Sequence, residues 1–219
     1  MSEHPKKVVL LDLDGTLTKS DPGIIGCVVK AFEEMGYPVP DDAELHRFIG
    51  PAISESMQRN GIPDDKLDEG VRIYRKYYAD EAVFDDPNNP GQKVPGRLNN
   101  TIYQGIPEQQ YQCIPICEHF HLDTMVDGIY GASEDNSRLD KDQVIRWAFQ
   151  HIDFDENAGD KALMVGDRWT DADGAKACGL DCLGCGWGYA ESGELKAHGA
   201  YRILDSVEEL AQAVEEYFA

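Results

Sequence analysis

Two aspartates near the start of the chain, Asp12 and Asp14, stand at a spacing that brings their side chains together. They follow an apolar run at residues 8–11 and precede Gly15. Alternate side chains of a strand point to the same face, and glycine allows the backbone to turn tightly just beyond them. Two neighbouring carboxylates are costly unless a cation or a difference in protonation separates them. The pair therefore predicts a cation-binding or acid–base site. The simpler alternative is a plain strand followed by an Asp-Gly turn.

A second pair of aspartates has the same arrangement far downstream. Asp167 and Asp171 follow an apolar run at residues 162–166, and the helix-forming residues 172–178 come next. Both side chains therefore flank a strand-to-helix turn, where an aspartate also serves as an ordinary helix N-cap. Together the two pairs offer four carboxylates at strand ends, which are oxygen ligands of the kind and number that suit Mg²⁺.

The elements that must position these carboxylates alternate between short strands and helices. The residues 8–11 are typical of a strand buried on both faces, as in a parallel sheet. Further strands are predicted at residues 128–130, 162–165, 182–183 and 201–204. Helices are predicted between and after them at residues 140–150, 171–178, 191–197 and 207–217. This alternation predicts an α/β fold, a Rossmann-like parallel sheet with helices on both faces, and ligands of such sheets bind at the carboxyl ends of the strands.

An additional helical segment separates the first strand from the rest. Residues 22–81 have a helical period with interruptions at 36–38, 50–51 and 61–63, which predicts four helices. The turn-rich segment 85–91 predicts the return of the chain. We therefore expect an α/β core domain of residues 1–18 and 92–219, with an inserted α-helical cap domain of residues 19–91.

Composition limits the partners and the cellular location that are expected for this protein. The chain has 219 residues, of which 41 are acidic and 20 are lysine or arginine, a net charge of −21. Such a surface repels the nucleic-acid backbone, so no nucleic-acid partner is expected. No stretch approaches the roughly 20 apolar residues of a membrane span, and no signal-like apolar region precedes the first strand, so a cytoplasmic protein without a membrane partner is expected. For the six cysteines, free thiols are favoured over a zinc site or disulfides.

These motifs resemble those of the haloacid dehalogenase superfamily of phosphotransferases. The sequence Asp-Leu-Asp-Gly-Thr at 12–16 is similar to its first motif, and Gly-Asp-Arg-Trp-Thr-Asp at 166–171 to its last. Gly-Pro after Phe-Ile, at 48–51, is similar to the helical cap of the phosphoglycolate phosphatase and 5′-nucleotidase branches. The stretch 127–131, followed by Lys141, resembles the part of these proteins that delivers a lysine to the site.

The resemblance implies a chemical role for each aspartate. Asp12 is implied to attack phosphorus and form an aspartyl-phosphate, which divides one difficult step into two. Asp14 is implied to protonate the leaving oxygen and later to deprotonate the attacking water. Mg²⁺ is implied to be held by the Asp12 carboxylate, the Asp14 backbone carbonyl and Asp167, with Asp171 close by.

The resemblance also implies the cations and donors that hold the phosphate. Gly15 and Thr16 are expected to bind phosphate oxygens through backbone and hydroxyl groups. Lys141 is expected to place a positive charge beside Asp12 and the phosphate, although an ordinary exposed lysine is the simpler alternative. Arg47, in the expected cap, is a candidate for binding a substrate carboxylate or second phosphate, or else lies on a solvated helix face.

One part of the family pattern is missing. Between the return of the cap and Asp127, the pattern has a helix, a buried strand ending in threonine or serine, and another helix. Here only Pro-Glu-Gln-Gln, at 107–110, separates candidate helices at 99–106 and 111–120. One alternative is that about 16–20 residues of the protein, judged from usual element lengths, are left out between positions 106 and 111. The other is that the chain is continuous there and lacks the hydroxyl that helps to hold the phosphate. Neither Thr101 nor Ser133 is assigned to that role.

The sequence therefore predicts a Mg²⁺-dependent phosphatase that acts on a small phosphorylated metabolite, as a monomer or homodimer. By resemblance alone, the leading substrates are phosphoglycolate and nucleoside 5′-monophosphates. A sugar-phosphate mutase, which transfers the phosphoryl group between substrate hydroxyls, is an alternative within the same superfamily. A catalytically silent binding module on the same fold is the alternative from another class; the intact aspartates argue against it and the missing strand argues for it.

Overall fold

The computed structural model describes residues 5–103, 127–131, 133 and 138–219. The place where the sequence lacks a strand of the family pattern falls mainly on residues 104–126 and so lies outside the described residues. The chain divides into two compact units, the first formed by residues up to Leu17 together with those from Tyr103 onward, and the second by Thr18–Ile102.

The described residues form eight strands and eight α-helices, of which β2, β3, β4 and β5 were not predicted. The strands are β1 (Lys7–Leu11), β2 (Thr18–Lys19), β3 (Phe84–Asp85), β4 (Lys93–Val94), β5 (Thr101–Ile102), β6 (Lys161–Gly166), β7 (Asp181–Cys185) and β8 (Arg202–Leu204). The α-helices are α1 (Asp21–Met35), α2 (Asp42–His46), α3 (Ile53–Arg59), α4 (Leu67–Arg75), α5 (Lys141–His151), α6 (Trp169–Ala177), α7 (Glu194–Ala197) and α8 (Leu210–Phe218). Among these described helices, none combines the length and the apolar character that crossing a bilayer requires.

The first unit contains a four-stranded parallel sheet in the order β1-β6-β7-β8. The predicted α/β class is thereby confirmed, as are the predicted strands within β6, β7 and β8. The strand predicted at 128–130 is wrong. Those residues are described but form no strand, because they have no hydrogen-bonded neighbour among the described strands. The Tyr130 ring lies 5.8 Å from that of His151.

Both faces of this sheet are covered by helices. On one face, side chains of the strands pack against α8 in a cluster that includes Leu163, Val165, Leu183, Leu210 and Phe218. On the other face they pack against α5 and α6 in a cluster that includes Ile145, Met164, Ala172, Ala175 and Cys182. Because strand side chains alternate between faces, burial on both sides explains why β6 and β7 are apolar after their exposed first residues.

The second unit is the helical segment predicted as the cap. Its core lies among α1 to α4 and includes Val28, Phe32, Phe48, Met57 and Ile73. The unit extends to Ile102 rather than to the expected boundary at residue 91. The reason is that β5 pairs antiparallel with β2 and closes the base of the unit, while the turn-rich segment 85–91 lies in the hairpin formed by β3 and β4. Its role as a cap domain stays a prediction.

Four of the cysteines are described, and each is a free thiol: Cys27, Cys178, Cys182 and Cys185. Burial raises the pKa of Cys27 to about 12 and that of Cys185 well above its usual range. These thiols are therefore neutral at physiological pH. Cys113 and Cys117 lie outside the described residues.

Gly174 sets the distance between α6 and α5. A Cβ atom added there would lie 2.6 Å from Cβ of Lys141, closer than side-chain atoms can approach. Alanine ordinarily stabilises a helix by about 0.5–1 kcal/mol relative to glycine. We nevertheless expect Gly174→Ala to lower the free energy of unfolding by about 1–3 kcal/mol, because the helices must move apart.

Urea unfolding measures this effect. Lys176→Ala, on the exposed side of the same helix, is the control and should change stability by no more than about 0.5 kcal/mol. A Gly174→Ala variant as stable as the control would show that α5 is not held against α6 at this point.

Candidate active site

Asp12 lies at the carboxyl end of β1. Its backbone N–H donates to the carbonyl oxygen of Val165 over 2.8 Å, which extends the β1–β6 pairing one residue beyond the strand. The side chain is 19% exposed, so a small molecule can reach it. The backbone of the neighbouring strand thus fixes the position of the predicted nucleophile.

Asp167 and Asp171 come from the turn between β6 and α6. Asp167 directly follows the last residue of β6, and Asp171 lies in the first turn of α6. The backbone N–H of Arg168 donates to Oδ2 of Asp171 over 3.0 Å, so Asp171 is the third helical residue of a capping box and Arg168, not Asp171, is the N-cap. The other oxygen of Asp171, Oδ1, points to a different partner.

That partner is Lys141, the first residue of α5. Its Nζ lies 2.8 Å from Oδ1 of Asp171 and donates to Oδ1 of Asp12 over 2.5 Å. Burial by itself lowers the pKa of Lys141, but the charges of the two aspartates outweigh it and raise that pKa above its usual value. Lys141 is therefore a charged residue of the site and not the ordinary exposed lysine.

Three carboxylates form one cluster in this unit. Asp12, Asp167 and Asp171 each offer an oxygen, and these oxygens lie within 4.8 Å of one another. Asp167 is 0% exposed and Asp171 is 1% exposed. Burial, and then the charge of Asp12, raises the pKa of Asp171 to about 6, and the same causes raise that of Asp167 well above its usual range.

This cluster fits a divalent cation. When ionised, three carboxylates and one lysine leave two negative charges in a largely buried place, which a divalent ion neutralises. Hard carboxylate oxygens are the ligands that Mg²⁺ prefers.

The turn after β1 is held tightly against Asp167. Gly15 has a φ of +89°, and a Cβ atom there would lie 2.2 Å from Oδ2 of Asp167. Thr16 is fully buried, with its Oγ1 3.5 Å from Oδ1 of Asp167. Trp187 donates from its Nε1 to the carbonyl oxygen of Thr16 over 3.1 Å. The first motif and the last are therefore packed directly together.

Asp14 and Arg47 have different positions from the cluster. Asp14 is half-buried in the turn after β1, and its carboxylate is not part of the three-carboxylate cluster. Arg47 lies in the second unit, at the end of α2, where its Nη1 is 2.5 Å from Oε1 of Glu44. The acid–base and carbonyl roles of Asp14 and the substrate-binding role of Arg47 stay predictions.

Sequence reasoning missed the loop after β7. The backbone N–H of Tyr189 donates to Oδ2 of Asp167 over 2.6 Å. A Cβ atom at Gly188 would lie 2.2 Å from Cβ of Asp167, so only glycine fits there. The available signal was the run Gly-Trp-Gly-Tyr at 186–189, directly after a strand of a parallel sheet, where loops reach the ligand.

Comparison with known proteins gives several matches over most of the chain. Two family models match, one described as haloacid dehalogenase-like hydrolase over residues 9–90 and one as HAD-hydrolase-like over residues 141–210. A 5′-nucleotidase from Pseudomonas aeruginosa is 32% identical, covering 95% of this chain and 96% of that protein. The tyrosine-protein kinase PtkA from Mycobacterium tuberculosis is also 32% identical over 87% of this chain, but the chain spans only 65% of its length. A phosphoglycolate phosphatase from Colwellia psychrerythraea is 24% identical, covering 96% of this chain and 97% of that protein.

A solved structure agrees with these relatives. The crystal structure of a predicted phosphatase from Clostridium acetobutylicum superposes with a TM-score of 0.79 and 28% identity, covering 97% of this chain and all of that one. The chain belongs to the haloacid dehalogenase-like hydrolase family, as its two aspartate motifs indicated.

The raised pKa values predict how the effect of added Mg²⁺ on stability depends on pH. Without metal, the contribution of Asp167 and Asp171 to stability is fully present below the unfolded-state pKa of about 3.9, and it is lost as the pH rises through the folded-state value, about 6 for Asp171. A Mg²⁺ ion at this cluster would require ionised carboxylates. We therefore expect the increase in melting temperature caused by Mg²⁺ to grow between about pH 5 and about pH 7.

Calorimetric melting with and without Mg²⁺ measures this increase. Asp167→Asn, which removes one carboxylate of the cluster, should reduce the increase at every pH. An increase in melting temperature that is the same at all pH values would contradict the prediction.

Proposed function

We propose that this hydrolase is a Mg²⁺-dependent phosphatase that hydrolyses small phosphomonoesters through an aspartyl-phosphate intermediate. The observation that carries the proposal is the position of the Asp12 carboxylate, which is accessible, hydrogen-bonded to Lys141 and adjacent to two further carboxylates. Asp12, Asp167 and Asp171 with the backbone carbonyl of Asp14 would hold Mg²⁺. The ion offsets the negative charge of the nucleophile and of the phosphate when it is bound.

The residues of the chain divide the reaction into two steps. Asp12 attacks phosphorus, the bond from phosphorus to the ester oxygen breaks, and Asp14 gives a proton to the leaving oxygen. Asp14 then takes a proton from water, whose oxygen attacks the same phosphorus and releases inorganic phosphate and the free Asp12 carboxylate. Lys141 holds Asp12 in place throughout and, being charged, reduces the repulsion between its carboxylate and the phosphate.

Conversion of Asp12 to asparagine tests the nucleophile. Asp12→Asn keeps the size of the side chain but removes the attacking oxygen anion, so Mg²⁺-dependent hydrolysis of p-nitrophenyl phosphate should fall by about 10⁴-fold or more. Asp142→Asn, next to Lys141 but paired with Arg146, is the matched control and should keep its activity. Retention of hydrolysis by Asp12→Asn would refute the assignment of the nucleophile.

The sequence identities of the relatives favour one class of substrate. The 5′-nucleotidase is 32% identical over nearly the whole chain, against 24% for the phosphoglycolate phosphatase, which supports nucleoside 5′-monophosphates ahead of phosphoglycolate. A panel of both substrates with Mg²⁺, measured by release of inorganic phosphate, should show at least about tenfold higher kcat/KM for the nucleotides.

A sugar phosphate added to the panel separates the alternatives. Isomerised sugar phosphate without free phosphate would indicate a mutase, and no turnover of any member would indicate a binding module. The remaining expectations, a monomer or homodimer that acts on a small phosphorylated metabolite in the cytoplasm, are part of this proposal.

A further inference from the structure

Glu194, the first residue of α7, makes a set of contacts that the proposed chemistry does not use. Its Oε1 accepts from Nε of Arg168 over 2.9 Å and from the backbone N–H of Trp169 over 2.8 Å. Its Oε2 accepts from the backbone N–H of Glu191 over 3.0 Å. One carboxylate therefore ties three points of the chain together.

This ion pair is buried, unlike the other arginine–glutamate pairs that the structure describes. The side chains of Arg168 and Glu194 are 8% and 10% exposed, whereas those of Arg202 and Glu216 are 44% and 51% exposed. Burial raises the pKa of Glu194, but its hydrogen bonds from Arg168 and from two backbone N–H groups outweigh burial and lower that pKa. The carboxylate is therefore ionised, and a buried ion pair of this kind requires well-placed partners.

The contacts fall within the turn that carries two carboxylates of the cluster. Arg168 and Trp169 lie between Asp167 and Asp171, and the backbone N–H of Arg168 donates to Asp171. Glu194 consequently holds the backbone of this turn at Trp169. The charge of Arg168 also acts on Asp167, since it lowers the pKa of that carboxyl against the larger effect of burial.

From these contacts we infer that Glu194 is a positioning residue for the cation site: it holds the turn between Asp167 and Asp171 and balances the charge of Arg168. The inference rests on the proposed function, because it takes the three-carboxylate cluster to be the Mg²⁺ site. Groups that orient metal ligands from outside the coordination sphere typically change metal affinity by about 10-fold to 100-fold when they are removed.

Calorimetric titration of the full chain with Mg²⁺ alone tests the inference without measuring activity. Glu194→Ala removes both the hydrogen bonds and the balancing charge, and it should raise the Kd for Mg²⁺ by about 10-fold to 100-fold. Glu194→Gln keeps an oxygen acceptor for Trp169 but removes the negative charge beside Arg168, so its Kd should lie between those of Glu194→Ala and the wild type. Glu216→Ala breaks the exposed pair with Arg202 and should leave the Kd unchanged.

The outcomes separate this inference from the proposed function. If the wild type binds Mg²⁺ and Glu194→Ala binds it with equal affinity, the inference is overturned but the proposed function is not. A change in the melting temperature of the variant does not alter that conclusion. Wild-type protein that binds no Mg²⁺ would overturn the proposed function and the inference with it. If Glu194→Ala does not fold, Glu194→Gln tests the positioning role instead. A higher Kd for Mg²⁺ supports that role, and an unchanged Kd overturns it.

Discussion

Burial of neighbouring carboxylates is the constraint on which the site depends. Asp12, Asp167 and Asp171 lie close enough to share one cation, and the last two are almost fully buried. Burial, and then the charge of Asp12, opposes the ionisation of Asp167 and Asp171, which is why their pKa values are raised. Lys141 offsets one charge, and when all three carboxylates are ionised the remaining two suit a divalent ion.

The carboxylates lie close together because parallel strands bring distant parts of the chain to one edge of the sheet. β1 and β6 are neighbours although about 150 positions separate them in sequence, and both end where the aspartates begin. Small residues then make room for the carboxylates: a Cβ atom at Gly15, Gly166 or Gly188 would lie 2.2 to 2.3 Å from an atom of Asp167 or Asp171. The acidic side chains occupy the space that other side chains would otherwise fill.

Family membership alone does not identify the substrate. The carboxylate cluster and its lysine belong to the first unit. A 5′-nucleotidase and a phosphoglycolate phosphatase, which differ in activity, both match nearly the whole chain. Arg47 in the helical unit remains a candidate for binding the substrate.

Much of the fold was predictable because the relevant signals are local. The apolar runs at 162–165 and 182–183 predicted β6 and β7, since strand segments buried on both faces have few polar positions. The strand predicted at 128–130 failed because a strand requires a hydrogen-bonded neighbour, which a short apolar run does not reveal. The end of the helical unit at Ile102 was missed for a related reason: the antiparallel pair that closes it joins residues more than 80 positions apart.

The sequence by itself determined that Asp12, Asp14, Asp167 and Asp171 stand in short motifs at strand ends, and their residue types already predict a cation or acid–base site. Their phosphate chemistry was implied by the family resemblance. Lys141 needed the family resemblance in addition, since nothing in its local sequence distinguishes it from an exposed lysine. Only the tertiary structure decided what holds these groups in place. Tyr189 and Glu194 act through backbone N–H groups and an ion pair that connect residues 22 to 26 positions apart, and such contacts leave no pattern in the sequence around either partner.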